Sequence, residues 1–293
     1  MSAHSSHTPA AAVLHRPVPL GRAGGRRALL AWIVVAALAL LAVAIAGVVL
    51  GTRAVTADFS QANLAPSLVH PFGTDWMGRD MLARTLAGLS TSLGVGLVAA
   101  VASSLIALAL ALIAALGGRA ADAAVSWLID LVMGIPHIVL LVLVSYALGR
   151  GATGVLAGIA LTHWPSLARV LRAEILQLRS APYLAASEAL GVSRVRIALV
   201  HIVPHVLPQY LVGLVLLFPH AILHEASITF LGFGLSPEQP AIGVILSEAM
   251  GYLTAGAWWL AVFPGLALLA AVLLFDRIGS ALRSLVTPEE VQR

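Results

Sequence analysis

The chain has no cysteine and no lysine, and only 10% of its 293 residues are charged. Without cysteine it has no disulfide, no thiolate metal ligand and no cysteine nucleophile, and cysteine usage says nothing of its redox compartment. Without lysine it has no phosphate-binding P-loop, because that loop needs its lysine to reach the nucleotide phosphates. The chain is therefore not its own Walker-type ATPase. All 17 basic residues are arginine, a bias for which genomic composition is the simplest source. Soluble domains carry ~25% charged residues; at 10% charged, 60% hydrophobic and a mean hydropathy of +0.97, this sequence is an integral membrane protein. A pI near 10.3 could suggest nucleic acid. The arginines, however, are dispersed at the ends of apolar runs rather than clustered with aromatics, so no nucleic-acid surface is expected and membrane lipid is the expected contact.

Six runs are long enough to cross ~30 Å of hydrocarbon as helices of ~20 residues: about 28–51, 90–116, 123–148, 152–172, 206–231 and 257–280. Because lipid offers no partner for backbone polar groups, these spans predict an all-α bundle. The first run follows Arg22, Arg26 and Arg27 and exceeds the ~7–15 apolar residues of a signal core, so it reads as a retained anchor. Residues 1–26 and 289–293 read as tails, 27–288 as one transmembrane domain, and 52–89 as an external segment.

Six spans put both termini on one side. With that side cytoplasmic, the inner segments hold 13 arginines and the outer ones only 4 (Arg53, Arg79, Arg84 and Arg150), as the positive-inside rule requires. The expected location is a bacterial cytoplasmic (inner) membrane, crossed several times, with both termini inside.

This orientation places "YLAASEALGVSRVRIALVHIVPHVLP" (183–208) in the cytoplasm, within a loop at 176–204. Pro182 suits the first turn of a helix through Leu190. Gly191 fits just past its end, where a left-handed conformation is needed, and Ser193 can cap a second segment running through Arg194, Arg196 and Leu199. Ala185, Ala186 and Ala189 allow another surface to approach the backbone closely. Two angled helices with such a face suit a soluble partner; an amphipathic helix resting on lipid headgroups is the alternative.

The pattern Ala185-Ala186, Gly191, His201 and Pro204 resembles the EAA loop of ABC importer permeases. The blocks "HPFGTDWMGRDMLARTLAGLSTSLGVGL" (70–97), "THWPSLARVLRAEILQLRSAPYLAASEALG" (162–191), "SITFLGFGLSP" (227–237) and "WWLAVFPGLALL" (258–269) are similar to the second permease subunit of dipeptide, oligopeptide and nickel importers. The resemblance covers about residues 28 to 288. It implies a type I importer permease with six transmembrane helices and a cytoplasmic coupling helix. The implied partners are a second permease subunit forming a heterodimer, two cytoplasmic ATPase subunits and an extracytoplasmic substrate-binding protein. ATP and Mg belong to the ATPases, with no cofactor on this chain. Ala185, Ala186, Glu188, Gly191 and Arg194 are the implied coupling residues, with Glu188 and Arg194 left open between partner contacts and a local ion pair.

Ionisable groups inside spans are functional candidates by default. Asp130 precedes Gly134 and Pro136, a pair that can flex a helix, and reads as structural. His220 and His224, four apart, share one helix face with Glu225 adjacent. They can offer nitrogen and oxygen ligands to a borderline metal such as nickel, or hydrogen-bond neighbouring helices. His163 in "LTHW" and the His220/His224 pair both resemble the nickel-permease branch. His137 is open between a pathway role and an interhelical hydrogen bond. His163, His220, His224 and Glu225 are thus the expected pathway, with His220 and His224 as transient metal ligands. The expected cargo is nickel or a metal chelate, with dipeptides or oligopeptides as the alternative. Ile242, where peptide permeases usually have tryptophan, weakens a plain dipeptide assignment. An intramembrane metalloenzyme is a third reading, but the His-Glu-x-x-His spacing it needs is missing.

In the external segment, Thr74 or Asp75 is expected to cap a short helix and Arg79 to pair with Asp80. The stretch to Leu89 is expected to lie on the outer membrane surface.

Overall fold

A computed structural model describes residues 23–286. Residues 1–22 and 287–293 lie outside the described residues; they hold most of both expected tails, with Arg16, Arg22 and Arg293. Among the described residues helix is the only extended regular structure, with one isolated antiparallel bridge, Thr74 to Asp80, in the loop that precedes Met81. In chain order the helices are α1 (Ala23–Val49), α2 (Gly51–Val55), α3 (Met81–Leu116), α4 (Arg119–Gly134), α5 (His137–Ala147), α6 (Gly151–Thr162), α7 (Trp164–Leu178), α8 (Pro182–Ala189), α9 (Arg194–Ile197), α10 (Val203–Phe230), α11 (Ile242–Met250) and α12 (Trp259–Val286).

α3 is the central post, with α1, α6, α7 and α10 packed around it. Its sequence explains this. Ala99, Ala100, Ser103, Ser104, Ala107, Ala111, Ala114 and Ala115 recur every three or four residues and are at most 1% exposed. Helix association in lipid depends on close van der Waals packing, which such a small-residue face permits. The same device recurs where α11 meets α10. A Cβ on Gly243 would press on the Ala226 carbonyl and lie 2.7 Å from Thr229 Cβ.

Four helices are long and apolar enough to cross a membrane by themselves: Gly25–Val49, Met81–Leu116, Arg194–Phe230 and Trp259–Val286. The two middle runs are not the continuous helices expected from sequence. The 123–148 run divides into α4 and α5, bent by 97° at Ile135-Pro136. Proline has no N–H to continue the helical ladder and disfavours helix in the residue before it; Ile135 is accordingly extended (φ −93°, ψ 135°). The 152–172 run divides at His163. Pro165 cannot donate to the Leu161 carbonyl four residues back, and the Trp164 indole N–H takes that place at 2.9 Å.

The external segment also differs from expectation. Residues 81–89 are the first turns of α3, with Met81, Ala83, Arg84, Thr85, Ala87 and Leu89 buried, rather than a surface helix. Asp80 caps α3 by accepting the Ala83 N–H at 2.9 Å. It pairs with His70 (2.9 Å) and Arg53 (3.2 Å), not with Arg79. Burial alone would raise the Asp80 pKa, but the Ala83 N–H, His70 and Arg53 together hold it below the ordinary carboxylate value. Neighbours in extended backbone point to opposite faces. Arg79 accordingly reaches Asp75 (2.6 Å) and Glu248 of α11 (3.1 Å), while Arg84 reaches the same two carboxylates at 2.5 and 2.9 Å. Neither Thr74 nor Asp75 caps a helix. Thr74 takes the Leu64 N–H, and the Asp75 carboxylate takes the N–H groups of Met77 and Arg79.

Candidate functional site

The two broken spans face α10 and leave a cavity of about 720 Å³ between them. The α4–α5 bend contributes Val132 to His137, the α6–α7 break contributes Thr162 to Leu167, and α10 contributes residues from Gln209 to His224. At 1.5 Å per residue that stretch of α10 is about 22 Å long. Most of the lining is apolar. The polar groups are Thr162 and four histidines, His137, His163, His220 and His224, with Gln209, Ser166 and Arg283 elsewhere.

Three imidazoles converge on this cavity. His137 opens α5 directly after Pro136, His163 is the single residue between α6 and α7, and His224 lies on α10. His163 Nε2 is 3.3 Å from His137 Nε2 and 3.3 Å from His224 Nδ1. One ligand atom from each of the three lies within 4.8 Å of the others. His163 is 7% exposed and the other two rings are half-buried. The His163 Nδ1 lies 3.2 Å from the Ile159 carbonyl oxygen, which can only accept. That nitrogen therefore carries the hydrogen, and Nε2 presents its lone pair to the other two rings.

Of the four pathway residues expected from sequence, His163 and His224 meet here. His220 lines the same cavity but is exposed, and its Nδ1 turns back to the Leu216 carbonyl at 3.1 Å. Glu225 is elsewhere. One step along α10 rotates it about 100° away, and its side chain is fully buried in the core, accepting from Thr229 Oγ1 at 2.9 Å. His220 and His224 share one face, but in this structure the Nδ1 of each lies against a backbone carbonyl one turn back, Leu216 and His220 respectively, and the three-histidine group does not include His220. His137 completes the trio instead. The sequence holds no contact signal for residues 26 and 61 positions apart; the usable hint is that His137 directly follows Pro136 and His163 lies two residues before Pro165.

Asp130, expected to be structural, pairs with Arg169 of α7 at 2.9 Å, and Asp122 takes Arg172 in a two-pronged bond, so α4 is tied to α7.

At the other end of α10, the loop at 176–204 holds α8 and α9. Gly191 has φ +80°; its N–H donates to the Glu188 carbonyl at 3.0 Å, and the Val192 N–H to the Ser187 carbonyl at 3.1 Å. This pair of bonds is the Schellman ending of a helix, which needs a left-handed residue. Ser193 caps α9. Leu178, Leu184, Ile197, Ala198 and Ile202 hold the base of the loop in the core, whereas Ala185, Ala186 and Glu188 are exposed and Leu190 and Val195 are 84% and 68% exposed. Two arginines fasten it to the end of α3. Arg179 donates to the Ala115 carbonyl, and Arg194 to the Leu116 carbonyl at 3.4 Å. Positive charge is favourable at a helix C-terminus. Glu188 and Arg194 form no ion pair with each other among the described residues.

A bundle with broken inner helices, a cavity at the breaks and a helical loop with an exposed small-residue face fits a membrane transport subunit, and residues 106–287 match the family model described as "binding-protein-dependent transport system inner membrane component". The chain belongs to this family. It is similar to a putative peptide transport system permease protein of Brucella suis, 38% identical over 223 residues covering 76% of this chain and 75% of the relative. A putative peptide permease protein of Brucella ovis is 36% identical over 232 residues, 79% of this chain and 77% of the relative. The dipeptide transport system permease protein of Bacillus subtilis is 29% identical over 232 residues, 79% and 72% of the two chains. This permease is thus a multi-pass inner-membrane subunit of an ABC importer. It is a transport subunit rather than an enzyme, working in a system that includes another permease, an ATPase and a substrate-binding protein.

Proposed function

We propose that this permease imports short peptides, passing them along the cavity on α10. The observation that carries this reading is the similarity, over more than three quarters of the chain, to permeases named for peptides and dipeptides. It moves the expectation from nickel to the alternative weighed beside it. The cavity is compatible with that cargo, since apolar walls accept varied side chains while Gln209, Ser166 and Arg283 can meet a peptide's amides and terminal carboxylate. A second reading, nickel or a metal chelate as cargo, is favoured by the convergence of three imidazoles.

In this proposal both termini are cytoplasmic, from the arginine distribution, and the partners are a second permease as heterodimer, two ATPases holding ATP and Mg, and an extracytoplasmic binding protein. The exposed face of α8 with Ala185, Ala186 and Glu188 docks on an ATPase. Arg194 acts through the end of α3, passing movement of the loop into the central post.

Uptake of a labelled dipeptide and of radioactive nickel is to be measured side by side in cells lacking other importers and expressing the complete transporter. Dipeptide uptake that disappears on deletion of this chain is the expected result. Nickel uptake with no dipeptide uptake would transfer the assignment to the metal reading.

A further inference from the structure

We infer that His137, His163 and His224 form a binding site for a borderline divalent transition metal, such as Ni²⁺, Co²⁺ or Zn²⁺, at the wall of the cavity. The inference rests on the permease reading for its setting but not on the identity of the cargo.

The distances match the chemistry. A zinc–imidazole bond is about 2.0–2.1 Å, so two nitrogens on a tetrahedral ion lie about 3.3 Å apart. His163 Nε2 stands 3.3 Å from the nearest nitrogen of each of the other two rings. The remaining separation, at most 4.8 Å, closes with a small swing of His137 or His224, both of which border open space. His163 is already prepared as a ligand. Its Nδ1–H is tied to the Ile159 carbonyl, the kind of outer contact that fixes the tautomer and orientation of metal-binding histidines.

Ligand type selects the metal. Three neutral nitrogens with no carboxylate among them suit nickel, cobalt, copper or zinc and not magnesium or calcium, which require oxygen. Three protein ligands leave one position facing the cavity, for water or for a donor atom on a passing molecule. The hydrogen-bonded alternative is also satisfiable: His137 Nε2–H can donate to His163 Nε2 while His224 Nδ1–H donates to the His220 carbonyl at 2.7 Å. Metal binding through His224 Nδ1 exchanges that bond for a coordinate one. The trio is thus a site whose rings are held together without metal and whose lone pairs are used with it. Because the three ligands come from the α4–α5 bend, the α6–α7 break and α10, an ion between them would bind the two broken spans to α10.

The test uses the assembled transporter, purified through a tag without histidine, titrated with Co²⁺ and with Zn²⁺ by calorimetry and by the cobalt visible spectrum. The parent should bind one ion more per permease than His137→Ala or His224→Gln, and its bound cobalt should show nitrogen coordination of low symmetry. His220→Ala should keep that ion. His163→Ala removes a buried ring, so folding is to be checked by gel filtration; His137→Ala, at a half-exposed ring, does not depend on that check. Equal stoichiometry in the parent and in both the His137 and His224 variants would overturn the site, and so would loss of the ion in His220→Ala. Normal dipeptide uptake by a parent that binds no extra ion would refute the metal site alone, whereas absence of all uptake would refute the permease assignment beneath it.

Discussion

Replacing Gly191 by valine is expected to abolish cargo-stimulated ATP hydrolysis in the assembled complex while leaving membrane insertion intact. Gly191 holds φ +80° in the two-bond ending of α8. An L-residue there costs about 1–2 kcal/mol, and β-branching adds to it. No atom lies within 4 Å of where its Cβ would be, so the penalty is in the backbone and not in a clash. α8 itself has a single buried anchor, Leu184, to resist that penalty, and a reoriented α8 no longer presents Ala185 and Ala186 to an ATPase. Asparagine tolerates the left-handed region. Gly191→Asn should therefore retain most of the stimulation, which separates conformation from side-chain bulk. Normal stimulation in Gly191→Val would remove the loop ending from the mechanism.

The second large effect concerns stability. Arg84 and Asp75 have side chains only 3% exposed, and with Arg79 and Glu248 they make a closed set of two positive and two negative charges. Removing Arg84 leaves Asp75 and Glu248 to share Arg79 alone, an excess negative charge in a largely buried set, at a cost of about 3–5 kcal/mol. Arg84→Met should lower the melting temperature of the purified complex by on the order of 10 °C, at roughly 2–4 °C per kcal/mol for chains near this size. Adding Glu248→Gln removes the excess negative charge and leaves Arg79 paired with Asp75, so the double variant should melt above Arg84→Met alone. A double variant no more stable than the sum of the two single losses would show that these contacts do not act as a set. The set joins the start of α3, the external segment and α11, so its loss should also loosen the outer end of the bundle.

How much of this was legible in the sequence follows from where each signal resides. Apolar run length is a local property, and α1, α3, α10 and α12 appear close to where the runs place them. The loop ending at Gly191 and the cap at Ser193 are also local, and both are found. Gly134 and Pro136 mark a flexing point in the sequence that the structure shows as a 97° bend, whereas the break before Pro165 does not stand out, because a hydropathy window averages over a single missing N–H. The histidine trio depends on three elements brought together by packing. Helical spacing relates His224 to His220, one turn away, whereas the rings it meets in the fold, His163 and His137, come from other elements. Arg79 and Arg84 illustrate the same limit, since their shared partner Glu248 is more than 160 residues away.

The central claim, that this chain is the moving membrane part of an ATP-driven importer of peptides, is tested most directly in vesicles. The complete transporter is reconstituted with ATP inside at the ATPase side and binding protein with labelled dipeptide on the opposite side. Accumulation of dipeptide against its gradient that stops without ATP and without the binding protein is the predicted result; dipeptide movement that is indifferent to ATP, or none at all from a complex that hydrolyses ATP and transports another cargo, would contradict it.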